Sequence, residues 1–360
     1  MECINIDQVL RTLKASRVGY GLVDLSDGYR LVIVGRGGHA LGPFDAAGRS
    51  VLWLNPTAWE SEQAYARFVE EGQWNVGGER LWLAPEIRFT VQDRSDFWGT
   101  YVLPPGMDPG NYQLEAAGQT VLLVGDAALP RFNPVECEVQ LHIKRCYRSA
   151  PNPLRHLKSF AELGDGVAYA GYSHDVTIDV QSPVGEAAVE AWTLAQVIPD
   201  GVLIVPATPG VEFEDYYEPI DDQHLQITPG AALLAVTGRR RYKIGFRSPH
   251  LTGRVGFFKR CPGGQAELIV RNFFNDPSSE YVEEPAERVG CHGLSVHVYN
   301  DGGVFGGFGE LECNGRTIGD KTGGSGSDEF AFWFFTGAEA KVRRLSEVLL
   351  GNWRQGSLLM

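Results

Sequence analysis

Residues 137–145 read Cys137-Glu138-Val139-Gln140-Leu141-His142-Ile143-Lys144-Arg145. Successive side chains of an extended chain point to opposite faces. The three branched apolar residues, Val139, Leu141 and Ile143, would therefore share one face, and the polar residues between them the other. This alternation predicts a β-strand in a sheet with one buried face and one face in contact with water.

The same kind of signal dominates most of the chain. Short runs rich in branched and aromatic residues recur at short intervals, and turn sequences such as Asp200-Gly201 and Pro229-Gly230 separate several of them. This spacing favours an all-β fold, a large antiparallel β-sandwich, over parallel βαβ units. The runs lie at 18–25, 29–34, 167–180, 190–197, 202–205, 231–236, 242–246, 254–260, 267–273, 294–299, 307–313 and 330–336.

A few short peripheral helices are predicted beside the strands. Apolar residues recur at helical spacing in residues 6–16, 57–70 and 338–350. The glycine-rich segment 319–327 lies between two strong strands, and its composition predicts a mobile loop that could border a site. No linker divides the chain, and residues 1–360 are therefore predicted to form a single domain.

Charge and targeting signals narrow the range of partners. The formal net charge is -13. Binding to nucleic acid or to an anionic membrane needs clustered positive charge, so neither is an expected partner. The first residues lack the basic and apolar regions of a secretory signal, and no apolar run reaches membrane-spanning length. The six cysteines are scattered, which is typical of reduced thiols. These features predict a cytoplasmic protein and leave its oligomeric state open.

Metal binding and nucleophilic hydrolysis are both disfavoured. His142 with Cys146, and Cys291-His292 with His297, lack the spacing of zinc ligands. No Gly-x-Ser-x-Gly elbow lies between a strand and a helix. We therefore expect neither a metal nor another cofactor.

Three segments carry a resemblance to a known family. The first is Trp74-Asn75-Val76-Gly77-Gly78-Glu79-Arg80-Leu81-Trp82-Leu83-Ala84-Pro85-Glu86, in which a Gly-Gly segment leads to an arginine and an apolar-Pro stretch. The second joins Glu190-Ala191-Trp192-Thr193-Leu194, through a Pro-Asp-Gly turn, to Val202-Leu203-Ile204-Val205-Pro206. The third is Phe308-Gly309-Glu310-Leu311-Glu312-Cys313-Asn314, and Tyr242-Lys243-Ile244-Gly245-Phe246 lies between the last two. In this order they resemble an uncharacterised branch of the galactose-mutarotase-like, or aldose-epimerase-like, superfamily.

The resemblance implies a supersandwich that binds a sugar or sugar derivative, and an isomerase-type, epimerase-like reaction. Interconversion of sugar anomers needs a base that removes the anomeric hydroxyl proton and an acid that protonates the ring oxygen. The His-x-Tyr-Phe-Asn run that supplies this acid in aldose epimerases is absent from Tyr169-Ala170-Gly171-Tyr172-Ser173-His174-Asp175. A non-catalytic carbohydrate-binding or sensing module is therefore the alternative function, and whether the protein is an enzyme stays open.

The candidate catalytic residues are two glutamates and one histidine. The resemblance places the general base on the late strand, at Glu312, with Glu310 as its neighbour. Two residues apart, they would share a strand face, where their mutual repulsion would raise the pKa of one of them. The alternative is a solvated face with two ordinary glutamates. His174 is the candidate acid, or else a structural histidine.

Three charged residues are candidates for holding the sugar. Arg80 could donate to sugar hydroxyls, or to a carboxylate or phosphate of the substrate, unless it pairs with Glu79 or Glu86. Glu86 could contact the sugar or orient Arg80. Lys243 could face the cleft or the solvent.

Tryptophan side chains are the expected apolar surface of the cleft. The flat faces of sugar C–H groups pack on indole rings, whose N–H groups can also bind hydroxyls. Trp82 is the main candidate, with Trp74, Trp98 and Trp192 beside it, although most tryptophans of a chain belong to its core.

Overall fold

Two large antiparallel β-sheets pack face to face in a computed structural model, which describes residues 4–133, 136–182, 188–319 and 323–353. One sheet has nine strands and the other has ten in this described part of the chain. The predicted all-β sandwich is confirmed. The assignment of residues 1–360 to one domain stays a prediction.

The nine-stranded sheet carries the candidate site. Its strands, in the order in which they lie side by side, are β1 (Tyr20–Asp24), β2 (Arg30–Val34), β3 (Ala40–Phe44), β4 (Glu79–Ala84), β9 (Glu190–Val197), β18 (Gly309–Asn314), β17 (Leu294–Asn300), β14 (Tyr242–Arg247) and β11 (Phe213–Asp215).

The ten-stranded sheet forms the other layer. Its strands, again in spatial order, are β12 (Leu225–Ile227), β13 (Ala231–Val236), β10 (Gly201–Pro206), β15 (Arg254–Cys261), β16 (Gln265–Phe273), β19 (Ser325–Ala338), β8 (Val167–Val180), β7 (Cys137–Ser149), β6 (Thr120–Arg131) and β5 (Tyr112–Ala117).

The main core lies between the two sheets and is built from the inward faces of their strands. β7 shows the predicted alternation, because Val139, Leu141 and Ile143 are buried while Gln140 and Lys144 are exposed. When apolar side chains alternate in this way, one whole face of each strand is removed from water. This burial of apolar surface is the main favourable contribution to the free energy of folding.

Short helices cover parts of the two outer faces. The helices α1 (Ile6–Ala15), α2 (Pro56–Trp59) and α3 (Glu62–Glu70) pack an apolar cluster against the outer side of β2 and β3. The helices α5 (Phe160–Gly164) and α6 (Glu339–Leu350) pack on the ten-stranded sheet, and α4 (Glu86–Thr90) follows β4. Among the described residues, no helix is long and apolar enough to cross a membrane.

Two local predictions differ from the structure. The segment predicted as one helix at 57–70 forms two, α2 and α3, because the Ser61 side chain accepts a hydrogen bond from the Ala64 backbone and starts a new helix. The segment predicted as a loop at 319–327 contributes its last three residues to β19, where Ser325–Ala338 pairs with β8. Residues 320–322 lie outside the described residues.

Candidate functional site

A cavity of about 350 Å³ opens on the outer side of the nine-stranded sheet. Side chains alternate along β4, where Glu79 points into the core and meets Arg271 of β16, while Arg80 and Trp82 point into the cavity. The lining is rich in aromatic and acidic residues: Trp74, Arg80, Trp82, Glu86, Trp98, Tyr101, Leu103, Trp192, Leu194, Tyr217, Lys243, Tyr299, Phe305, Phe308, Glu310 and Glu312.

The structure brings six of the seven predicted site residues together in this cavity and leaves out His174. The three further tryptophans considered with Trp82 also line it. The six residues that meet are Glu312, Glu310, Arg80, Glu86, Lys243 and Trp82.

The strand register brings these side chains together, although they lie far apart in the sequence. Residues paired across neighbouring strands lie in rows, and alternate rows face the same side of a sheet. One row contains Gln196, Glu310, Tyr299 and Lys243, and another contains Arg80, Leu194, Glu312 and His297.

The Gly77-Gly78 segment allows β4 to begin beside its neighbours. Both glycines have positive φ, +95° and +80°, where other residues are strained. A Cβ at Gly77 would lie 2.6 Å from Leu54 Cα, and one at Gly78 would lie 2.3 Å from the carbonyl oxygen of Ala40. These two glycines therefore fix the start of the strand that carries Arg80.

A carboxylate and two indole rings hold Arg80. Its Nη1 lies 2.8 Å from Glu310 Oε1, which also accepts a hydrogen bond from Gln196 Nε2 at 3.0 Å. Its guanidinium carbon lies 4.8 Å from the ring centroid of Trp74 and 4.4 Å from that of Trp82. The ion-pair partner of Arg80 is thus Glu310, and not Glu79 or Glu86, and its charge is compensated within the protein.

The charge of Lys243 is also compensated by carboxylates of the protein. Its Nζ lies 3.0 Å from Glu86 Oε2, 3.5 Å from Glu283 Oε1 and 4.4 Å from the ring centroid of Trp192. Burial by itself would lower the pKa of Lys243, but Glu86, Glu312 and Glu283 outweigh burial and raise this pKa well above its ordinary value. Glu86 is therefore a partner of Lys243 and does not orient Arg80.

Glu312 differs from Glu310 and Glu86, because within the described residues it forms no ion pair with Arg80 or Lys243. Its side chain is buried, and its Oε2 has no hydrogen-bond partner among the described residues. Burial raises the pKa of Glu312 to about 8; Lys243 offsets part of this effect and Glu310 adds to it. At neutral pH the group is therefore mainly protonated and can both lose and regain a proton near that pH.

His174 lies between the two sheets, and its predicted place in the site is corrected. Its Nδ1 lies 2.8 Å from Glu79 Oε1, and its Nε2 accepts a hydrogen bond from Arg145 Nε at 3.1 Å. Glu79 is also hydrogen-bonded to Tyr172 and Arg271. Burial, with Arg145, lowers the pKa of His174 to about 4. The imidazole is thus a neutral member of a buried network that holds the sheets together.

His297, considered from the sequence only as a metal ligand, is paired with Glu312 in the sheet. Its Nε2 lies 2.9 Å from the Tyr216 hydroxyl, and its Nδ1 lies 3.2 Å from Asn314 Oδ1. Asn314 in turn donates to Glu190 Oε2 at 2.9 Å. Burial lowers the pKa of His297 well below its usual value, and a neutral imidazole that donates through Nδ1 fits these contacts.

Other residues around the cavity were missed from the sequence. Glu283 lies in a segment without strand or helix periodicity, and no local pattern marks it as a partner of Lys243. Tyr101 donates to Glu86 Oε1 at 3.2 Å, and Tyr217 packs on Trp98. A dense aromatic run in a segment without strand alternation, 97–101, is the signal that could have indicated this wall.

The arrangement suits proton transfer on a bound organic ligand more than metal chemistry. Within the part of the chain that the structure describes, no group of three or more His, Cys, Asp or Glu side chains could hold a metal ion. The carboxylates near the cavity contact Arg80 and Lys243 instead, and one protonated carboxyl, Glu312, remains available.

Comparison with known proteins gives a family for the chain. A family of unknown function (DUF6786) matches residues 44–353, which include every residue that lines the cavity. No curated protein matches the chain. Among solved structures, the 4-α-glucanotransferase from Thermococcus litoralis matches with 8% sequence identity and a TM-score of 0.32, over 89% of this chain and 40% of that one. The chain therefore spans less than half the length of that enzyme. Because the family match extends over most of its residues, the chain belongs to this family of unknown function.

Proposed function

We propose that the cavity binds a neutral sugar or sugar derivative and that Glu312 transfers a proton in an epimerase-like acid/base reaction on it. The observation that carries this proposal is a buried carboxyl on the wall of an aromatic cavity, with an Oε2 that no described residue hydrogen-bonds. Sugars bury their C–H faces on aromatic rings and need polar partners for their hydroxyls. The resemblance of three segments to the mutarotase-like superfamily supports the same reading.

The charges around the cavity favour a neutral ligand. Arg80 is paired with Glu310, and Lys243 is paired with Glu86 and Glu283. A sugar acid or sugar phosphate would place further negative charge beside these carboxylates, and the described residues of the lining include no unpaired cation to receive it. We therefore do not assign a substrate carboxylate or phosphate to Arg80.

Glu312 has the acidity that a base working near neutral pH requires. A pKa of about 8 makes its carboxylate a stronger base than an ordinary glutamate, and an appreciable fraction is ionised at pH 7. No imidazole lines the cavity in the described part of the chain. Among the described residues of the lining, the candidate acids for the ring oxygen are the ammonium of Lys243 and the hydroxyls of Tyr101, Tyr217 and Tyr299.

A non-catalytic sugar-binding module is the second candidate. It is favoured by the burial of His174 between the sheets and by the engagement of other donors, since Lys243 is held in two ion pairs and Tyr101 donates to Glu86. Such a module would use the same aromatic walls and would leave the Glu312 proton in place.

Substitution of the two late-strand glutamates separates these candidates. Turnover is followed by NMR exchange or polarimetry on neutral monosaccharides, with Glu312→Gln, Glu310→Gln and, as a matched control, Glu115→Gln, an exposed glutamate of β5. We expect Glu312→Gln to lower turnover by about 100-fold or more, the usual scale for loss of a general base. Glu115→Gln should behave as the wild type.

The pH dependence gives an independent check on the role of Glu312. A base with the pKa of Glu312, about 8, makes turnover rise as pH increases, reach half of its maximum near pH 8 and level off above it. Full activity in Glu312→Gln would remove this residue from the mechanism. Binding of a sugar without accelerated interconversion would select the non-catalytic module.

A further inference from the structure

The aromatic lining continues outward beyond the cavity. Trp82 and Trp192, at its base, are 3% and 1% exposed. Trp98 and Phe305 line the same cavity and yet are 47% and 40% exposed. Large aromatic side chains with this much exposed surface, adjoining a cavity, are a feature of ligand sites.

The exposed rings belong to two separate clusters. Phe305 packs on Trp74, with ring centroids 6.2 Å apart, and Trp74 packs on Trp82 of β4 at 4.9 Å. Trp98 packs on Tyr217, which follows β11, at 5.7 Å. Four strands separate β4 from β11 in the sheet. The aromatic surface therefore extends across a much wider area than one sugar ring covers.

Arg241 adds a polar group to this outer surface. It directly precedes β14 and is exposed, and its guanidinium carbon lies 4.6 Å from the ring centroid of Trp98 and 5.1 Å from that of Tyr217. In contrast to Arg80 and Lys243, it has no carboxylate partner among the described residues. A guanidinium stacked on rings by its flat face still presents its N–H groups at its edge.

We propose that the site takes a saccharide of at least two rings, whose end ring enters the cavity and whose second ring stacks on Trp98 and accepts hydrogen bonds from Arg241. This inference rests on the proposed sugar-binding function and specifies its substrate class. Ring hydroxyls and the acetal oxygen between two sugars suit the donors of Arg241, and the C–H face of the second ring suits an indole. The outer subsite is continuous with the cavity through Trp98, which borders both.

Titration calorimetry with single sugars and disaccharides tests this subsite. The probes are glucose, galactose and mannose, and the disaccharides maltose, cellobiose, lactose and mannobiose, with the wild type, Arg241→Ala and Arg239→Ala. Arg239 is an exposed neighbour outside the cavity lining and serves as the control. We expect at least one disaccharide to bind about 10-fold tighter than its component monosaccharides, the effect of one well-made contact.

The variants then show which residue supplies the extra affinity for disaccharides. Arg241→Ala should lose most of the disaccharide advantage while monosaccharide affinity stays within about 2-fold, and Arg239→Ala should keep the advantage. Trp98→Ala should also weaken disaccharide binding. Equal affinities for disaccharides and monosaccharides in the wild type would overturn the outer subsite and leave the proposed function standing. Failure of every sugar to bind would overturn both.

Discussion

Glu312 is buried and lies on a cavity wall, and one of its carboxyl oxygens has no hydrogen-bond partner in the part of the chain that the structure describes. Nearly all buried polar atoms in folded proteins have a hydrogen-bond partner, and an exception costs about 1–3 kcal/mol or more. A ligand hydroxyl could supply the missing partner. The hydrogen bond to the ligand would then offset this unfavourable free energy. Unsatisfied polar groups can persist at functional sites for this reason.

Replacement of His174 should change stability and not ligand binding. His174→Ala would leave Glu79 and Arg145 short of a buried hydrogen bond, and we expect a loss of about 1–3 kcal/mol in the free energy of unfolding. Urea denaturation measures this loss, and calorimetry should show unchanged sugar affinity. His142→Ala, on the outer side of β7, is the control and should cost less than about 1 kcal/mol, because its contact with Asp126 is solvent-exposed.

An altered sugar affinity in a folded His174→Ala protein would contradict this placement. The sequence did contain a signal for it. His174 lies in phase with Tyr172, Val176 and Ile178 along β8, and these side chains face the core. Strand phase, which we did not apply to His174, therefore indicates that its side chain faces the core, because alternation is imposed by the geometry of every strand.

Prediction from sequence was most successful for whole strands. The alternation of β7 was predicted from the sequence and is confirmed. Gly77-Gly78 marked the entry to β4 because the positive φ and close approach there require glycine. The contact between Glu283 and Lys243 could not be predicted. Glu283 lies in a loop, and the conformation of a loop leaves no periodic pattern in the sequence.

Gly245 of β14 leaves room for the His297 ring, and its substitution should disturb this strand pair. A Cβ there would lie 2.8 Å from His297 Cδ2 and 3.1 Å from Leu294 Cδ1. We expect Gly245→Ala to cost about 1–3 kcal/mol through overpacking, measured by chemical denaturation. Gly19→Ala is the matched control, because a Cβ at Gly19 meets no atom within 4 Å. Equal stability of the two variants would show that the imidazole is not confined.

Buried carboxyls with raised pKa values should make the whole molecule less stable as pH rises from about 4.5 to about 8. Burial raises the pKa of Glu190 and of Glu283 to about 7, and that of Glu312 to about 8. The unfolded chain loses these protons near pH 4.5, whereas the folded chain keeps them until about pH 7 at Glu190 and Glu283 and about pH 8 at Glu312. Each group can therefore reduce stability by up to about 1.4 kcal/mol per pH unit across this window.

Denaturation at pH 6.5, 7.25 and 8 measures the last part of this decline, to which Glu312 contributes most because its pKa is the highest of the three. Glu312→Gln has no proton to lose at this position, so the decline should be shallower and the variant should be more stable than the wild type at pH 8. The pKa values of His174 and His297 are lowered from 6.5, so these residues make the folded protein more stable as pH rises. Their effect on stability lies mainly below pH 6.5. Identical slopes for the two proteins would mean that Glu312 does not titrate in this window.

The distribution of charge over the molecule leads to the central claim, a cavity for a neutral sugar. Both cations in its lining are paired with carboxylates, and the chain carries a net charge of -13. Isothermal titration of the wild-type protein with glucose, galactose and mannose, beside glucuronate and glucose 6-phosphate, tests this claim most directly. We predict a dissociation constant on the order of 1 mM or tighter for at least one neutral sugar and no binding of the two anions. Tighter binding of either anion, or no binding of any neutral sugar, would contradict the claim.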